Sequence, residues 1–104
     1  VIEIIQTDVF AEWLAALRDA RAAAKIVARL KRLADGNPGD VKPVGEGLSE
    51  LRIKHGPGYR VYYRMFGPVI AIILCGGDKS SQAADIARAK TLSLAVAREL
   101  EKKA

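Results

Sequence analysis

The stretch VIAIILC, residues 69–75, is apolar at seven consecutive positions. A membrane helix needs about 20 such residues, so the run predicts a β-strand covered on both faces and placed near the centre of a sheet. The rest of the chain must therefore supply further strands and the layers that cover them. With 104 residues, half of them apolar, there is enough material for one hydrophobic core and too little for two, which predicts a single domain over residues 1–104. A charged share of 28% with ordinary apolar content excludes a disordered chain, a collagen and a coiled coil. No stretch reads as a membrane span or a secretory leader, and the expected location is cytoplasmic.

Before that strand the hydrophobic period is helical. VIEIIQ, residues 1–6, reads as a first strand, followed by Thr7 and Asp8 as cap candidates. Phe10, Trp13, Leu14 and Leu17 then fall on one stripe of a helix. Ala23, Ile26, Val27, Leu30, Leu33 and Ala34 repeat the stripe in a second helix, which Gly36 and Pro38 end. The glycine- and proline-rich segment 36–47 reads as a turn-rich connection without a regular element. From Leu48 the period becomes two, with Leu51 and Ile53 opposed to Glu50, Arg52 and Lys54. HGPG, residues 55–58, makes a turn, and Val61, Tyr63 and Met65 then oppose Arg60, Tyr62 and Arg64. Past residue 75, GGDKSSQ breaks the strand, and a C-terminal helix follows with Ser80 or Ser81 as cap and a thin stripe of Ile86, Ala89, Val96 and Leu100, which predicts loose docking. The class is α+β: an N-terminal strand, a helical hairpin, an antiparallel three-strand meander completing one sheet, and a C-terminal helix, with the helices on one sheet face.

Alternation puts Arg52, Lys54, Arg60, Tyr62 and Arg64 on a common face of the hairpin. Like charges on neighbouring strands repel, and of the nearby acids only Glu46 and Glu50 offer compensation in sequence, so an anionic partner is the natural complement. The net charge of +5 points the same way. Aromatic rings interleaved with cations suit RNA, where rings stack on bases and cations hold phosphates; Tyr63 reads as core, while Tyr59 fits either place. His55 is open between acid/base chemistry, RNA contact and plain exposure. Trp13 reads as core, and Asp78 and Ser81 as loop and cap residues. The lone cysteine, Cys75, reads as a buried thiol. One histidine, one cysteine and scattered acids give no recognisable metal cluster, and GGDKSS lacks the glycine spacing of a phosphate-binding loop, so no metal and no cofactor is expected. RNA cleavage here would need a base for the ribose 2′-hydroxyl, cations for the crowded phosphorane and an acid for the departing 5′-oxygen. Arginine and lysine suit the middle role, and a lysine crowded by arginines also suits the base.

The layout, together with FAEWLAALRD, KIVARLKRLADGNPGDVKPVGEGLSELRI, GPGYRVYYR and LCGGDKSSQAADIARAK, resembles the RelE/ParE superfamily of toxins from type II toxin–antitoxin modules. The likeness is strongest to the short HigB-like addiction module killer branch. It covers nearly the whole chain, and it implies a cytoplasmic toxin that cuts mRNA, often within the ribosome, and is silenced by a cognate antitoxin. Carried over to this sequence, the resemblance implies Arg60 in GYR, Lys79 in GGDK, and Arg52 with Lys54 on the preceding strand as catalytic residues. The family's tyrosine near the start of the last helix has no counterpart, since AADI stands there. That leaves Tyr59 or Tyr62 as candidates for stacking and Asp85 for proton transfer, beside Arg64 and His55 as further RNA-binding candidates.

The expected function is thus a metal-independent endoribonuclease, an mRNA interferase acting on ribosome-bound transcripts. Its expected partners are the mRNA, the ribosome and an antitoxin, typically one with a helix-turn-helix domain. The alternatives are a ParE-like poison of DNA gyrase on the same fold, and a non-catalytic binding module whose basic face docks an acidic protein.

Overall fold

Polar side chains at the ends of short apolar runs set the element boundaries. Thr7 accepts the Phe10 N–H (3.1 Å) and also donates its hydroxyl to the Leu74 carbonyl (2.6 Å), so one residue caps a helix and pins it to a strand. Asp19 caps the next helix by accepting from the N–H groups of Arg21 and Ala22. Gly36, at φ +86°, ends that helix as expected, with the Gly36 and Asn37 N–H groups donating to the carbonyls of Leu33 and Arg32. The computed structural model describes residues 1–103. In order they form β1 (Glu3–Gln6), α1 (Asp8–Ala16), α2 (Ala20–Ala34), β2 (Val41–Gly45), β3 (Leu48–Ile53), β4 (Tyr59–Phe66), β5 (Ile70–Asp78), a 3-10 turn (Lys79–Ser81) and α3 (Gln82–Lys103).

The strands form one sheet in the order β1-β5-β4-β3-β2. β1 runs parallel to β5, and the other neighbours are antiparallel. The class is α+β as expected, and the apolar run of residues 69–75 supplies β5, inside the sheet between β1 and β4. Two details depart from the expectation. The meander has four strands, because Val41–Gly45, in the segment read as a turn-rich connection, pairs with β3. Pro43 is tolerated there because β2 is an edge strand with a register shift between Pro43 and Gly45. The helices also do not share one face. Phe10, Ile26, Leu30 and Leu33 of α1 and α2 pack with Leu51, Ile53, Val61, Tyr63 and Ile73, whereas α3 packs through Ala89 and its half-buried neighbours on Leu48, Tyr62, Ile72, Leu74 and Cys75. A strand apolar on both faces requires a layer on each, and α3 is the second layer.

A register shift opposite Tyr62 and Tyr63 lets Leu74 and Cys75, although consecutive, both pack in the α3-side cluster. The docking of α3 is firmer in its first three turns than its thin stripe predicts. Gln82 bonds Glu50, the Cys75 thiol donates to the Asp85 carbonyl (3.6 Å), and Arg64 donates to the Ser93 hydroxyl (2.8 Å). Beyond that the helix leaves Leu94 and Leu100 exposed. Cys75 is buried, and burial pushes its thiol up to about 11. Among the described residues no helix is long and apolar enough to cross a membrane.

Candidate functional site

Cross-strand register decides which cations meet. Arg52 of β3 lies directly opposite Arg60 of β4, and Arg60 lies opposite Gly77 of β5, so the three positions form one row across the sheet on the α3 side. Gly77 leaves room for a side chain from above: a Cβ on it would sit 1.8 Å from Asp85 Oδ2 and 2.9 Å from Ser81 Oγ. Asp85, in the first turn of α3, therefore projects over the end of this row, and Ser81 donates to its carboxylate (2.5 Å). Lys79 is exposed in the 3-10 turn that follows β5, its Cβ 3.6 Å from where a Cβ of Gly58 would be. The Arg60 guanidinium approaches the same point to 3.3 Å and donates to the Gly58 carbonyl (2.9 Å). Gly58, at φ +80°, is thus the shared floor of Arg60 and Lys79, and a side chain there would be both strained and obstructive.

The turn carrying Lys79 is built by its neighbours. Asp78 accepts from the Ser80 N–H (2.8 Å) and the Ser80 hydroxyl (2.5 Å), while the Asp78 N–H donates to Ser81 Oγ (3.3 Å). The Ser80 hydroxyl, followed by the other hydrogen bonds of the turn and the nearby Arg60 charge, holds the Asp78 carboxyl below its usual range. Asp78 and Ser81 thus do the loop and cap work expected of them.

Beneath the row lies a residue that the sequence reading treated only as a nearby acid. Glu50 is fully buried. Its Oε1 is 3.2 Å from Arg52 Nε and 3.5 Å from Arg60 Nε, and its Oε2 accepts from the Tyr62 hydroxyl (3.1 Å) and from Gln82 Nε2 (2.8 Å). Burial alone would raise its pKa, but the hydrogen bonds from Gln82, Arg52 and Tyr62, with the Arg60 charge, outweigh that and hold the carboxyl below the ordinary glutamate value. The signal for Glu50 was present in the alternation, two residues before Arg52 on one strand. What alternation does not reveal is that a helix covers it.

Of the residues read from sequence, the structure gathers Arg52, Arg60, Lys79 and Asp85 at this site. The others stand elsewhere. Tyr62 is fully buried with its hydroxyl on Glu50, so it offers no ring face to a base; burial, then the Glu50 carboxylate, push its pKa far up and keep it a donor. Tyr59 packs edge-on against Trp13, 6.2 Å between ring centres, on the opposite side of the sheet. His55 also turns away from the row: its Nε2 pairs with Asp19 Oδ2 at 2.8 Å and so ties the hairpin turn to the cap of α2. Lys54, just past the end of β3, lines a shallow groove with Lys25, Arg29 and Arg32 of α2. Arg64 lies four residues along β4 from Arg60, stacked over Phe66 at 4.4 Å and bonded to Ser93. Trp13 contacts the core as read, its ring over Gly76, where a Cβ would sit 2.4 Å away.

Chemically, the site presents two guanidiniums and an ammonium beside one carboxylate that is only partly covered. The side chains of Arg52 and Arg60 are 35% and 14% exposed, so each can offer N–H groups to a phosphate while Arg52 is held through its Nε on Glu50 and Arg60 through its Nη1 on the Gly58 carbonyl.

Residues 12–99 match the family described as Phage derived protein Gp49-like (DUF891). An uncharacterized protein of Haemophilus influenzae (strain ATCC 51907 / DSM 11121 / KW20 / Rd) is 53% identical over 92 residues, which cover 88% of this chain and 93% of that protein. No solved structure matches the chain.

Proposed function

This chain belongs to the Gp49-like family of phage-derived proteins, a RelE/HigB-like family of toxins from toxin–antitoxin modules, and we propose that it acts by cutting mRNA, on the ribosome, so that translation stops. The observation that carries this reading is the facing pair Arg52 and Arg60 with Lys79 beside them. Cleavage next to a ribose needs no external nucleophile. The 2′-oxygen attacks phosphorus as its proton leaves to a base, a crowded phosphorane forms, and the bond to the 5′-oxygen breaks as that oxygen takes up a proton. The products are a 2′,3′-cyclic phosphate and a 5′-hydroxyl.

Fixed cations aimed at the equatorial oxygens stabilise the phosphorane more than the ground state, which is where such a site gains rate. Arg60 and Arg52 are suited to that role, and Lys79, exposed at the mouth, to guiding the phosphate or to the departing oxygen. Asp85, oriented by Ser81, is the side chain suited to proton transfer. Lys54 lies apart from this row, in a second basic groove with Lys25, Arg29 and Arg32 of α2. A cognate antitoxin goes with a toxin of this family; in our reading it carries a helix-turn-helix domain.

The test is Arg60→Ala. Growth arrest at matched expression should be relieved, and cleavage should fall by roughly 10²–10³-fold, the loss seen when one transition-state donor is removed, with the fold retained by circular dichroism. Primer extension on cellular mRNA should show cuts that vanish in the variant. Undiminished toxicity at equal protein levels would sink the assignment. Toxicity without RNA cuts, accompanied by loss of gyrase supercoiling, would favour the poison of DNA gyrase instead, and ribosome binding insensitive to salt would favour a docking module without chemistry.

A further inference from the structure

Arg52 and Arg60 are direct cross-strand neighbours, and two guanidiniums at such a position repel. Left to themselves they would splay apart into solvent. Glu50 prevents this from below. One carboxylate oxygen faces the Nε of both arginines, at 3.2 and 3.5 Å, while the other is held by Tyr62 and Gln82. The partners come from β3, β4 and α3, so the carboxylate ties three elements together.

We infer that Glu50 is a positioning residue of the basic site: its carboxylate binds Arg52 Nε and holds the Arg60 guanidinium beside it by charge, while the Gly58 carbonyl takes Arg60 Nη1, so that the remaining guanidinium N–H groups are set for the oxygens of one phosphate. This rests on the cleavage reading above and extends it to a residue that cannot touch the RNA. A carboxylate offers about four lone-pair directions. Here Arg52, Tyr62 and Gln82 donate to three of them and the Arg60 guanidinium lies 3.5 Å from the same carboxylate without a hydrogen bond; with no exposed surface, Glu50 is out of reach of a ribose hydroxyl. A general base in this place is therefore excluded by geometry, and what remains is preorganisation. Burying an ion group is seldom the most stabilising choice for a core. A site that must present two like charges at fixed separation gains from it, because the reorganisation is completed on folding and not repeated in each turnover.

The experiment uses the full chain labelled with 15N, in wild-type form and as Glu50→Gln, Tyr62→Phe and Gln82→Ala. The first variant keeps shape and removes charge; the other two keep the charge and remove one hydrogen bond each, which guards against a fold defect in the first. The Nε–H resonances of Arg52 and Arg60 should be resolved and slow to exchange in the wild type, and averaged and fast-exchanging in Glu50→Gln. Cleavage of a 5′-labelled mRNA on initiated ribosomes should lose kcat on the order of 10²-fold in Glu50→Gln, with KM changed by less than about 3-fold and the shape of the pH–rate profile retained. Tyr62→Phe and Gln82→Ala should fall between the two.

Unchanged Nε–H exchange in Glu50→Gln would overturn the proposal, as would an unchanged kcat in a protein whose wild type cleaves. Loss of the acid limb of the pH–rate profile would overturn it in favour of direct proton transfer. A wild type that cuts no RNA would defeat the cleavage reading alone, since the resonance measurement still decides whether Glu50 holds the two arginines.

Discussion

The two faces of β3 and β4 are made from alternate residues of the same strands, yet they are different materials. Toward α1 and α2 the face consists of Leu51, Ile53, Val61 and Tyr63, closed over by Phe10, Ile26, Leu30 and Leu33. Toward α3 it consists of Leu48, Glu50, Arg52, Arg60, Tyr62 and Arg64, with a buried carboxylate where the other side has a leucine. The first face is held by non-directional burial, the second by burial of Leu48, Tyr62, Ile72 and Leu74 under α3 together with directed hydrogen bonds around Glu50. The difference teaches how a chain of 104 residues separates its tasks. Both sides bury apolar residues, but only the α3 side adds a buried carboxylate, and with it tolerates like charges in a row.

If that division is real, the largest loss of stability should come from the dry side. Leu51 is fully buried among α1, α2 and β4 partners, and Leu51→Ala should cost about 3 kcal/mol from lost transfer and the cavity left behind. For a domain of this size that lowers Tm by more than about 10 °C, readable by thermal melting. Under conditions where the variant is folded, its cleavage constants should stay close to those of the wild type. A large change in kcat without a change in Tm would break the comparison.

The glycine pair of β5 sharpens it, because the two residues face opposite ways. A Cβ on Gly76 meets three ring atoms of Trp13 at 2.4–2.7 Å, and that ring is packed against Phe10 and Tyr59. Gly76→Ala should destabilise by about 2 kcal/mol through overpacking. A Cβ on Gly77 meets the rotatable carboxylate end of Asp85 and the Ser81 hydroxyl at 1.8–2.9 Å, and not a packed ring. Gly77→Ala should cost about 1 kcal/mol and lower cleavage out of proportion, since Asp85 and Ser81 are displaced from the basic row. Equal effects of the two substitutions on both readouts would show that the faces are not independent.

Much of this division can be read from the chain alone, since a period of two assigns Leu51 and Arg52 to opposite faces, and a period of 3.6 assigns Phe10, Trp13 and Leu14 to one stripe. The rest depends on what covers what. β2 is hidden in sequence because Val41 and Val44 are its apolar residues among Lys42, Pro43 and Gly45, and an edge strand needs no more than that. The packing side of α3 is hidden because its stripe is thin, and it is thin because the surface it meets is partly polar. Small residues such as Ala89 and Ser93 let the helix approach closely, and it is attached both by the half-buried Ile86, Leu92 and Val96 and by hydrogen bonds to Glu50, Arg64 and Cys75. The burial of Tyr62 and Glu50 follows from that helix, so alternation gives their direction but not their depth. Tyr59 and His55, which the sequence leaves open, are settled by a related effect: Tyr59 at the start of β4 packs on Trp13, and His55 in the turn before it pairs with Asp19.

The smallest expected effect is one of pH, and it bears on the polar face specifically. Glu50 titrates below the ordinary glutamate value of 4.5 in the folded protein, so above that range the folded and unfolded chains both carry the carboxylate and its contribution to stability is complete. As the pH falls below about 4.5 the unfolded chain takes up the proton first, and the contribution declines until the folded carboxyl is protonated too. Asp19 and Asp78 are shifted in the same direction, so the wild-type acid limb is a sum. Glu50→Gln should remove one part of that sum and leave the others. Urea unfolding between pH 3 and pH 7 should therefore show a shallower acid slope in Glu50→Gln than in the wild type, whereas Leu51→Ala should shift the whole curve down without changing its slope. Parallel curves for the wild type and Glu50→Gln would mean that the carboxylate is not held as an anion by Arg52, Arg60, Tyr62 and Gln82, and the polar face would then be stabilised in the same non-directional way as the dry one.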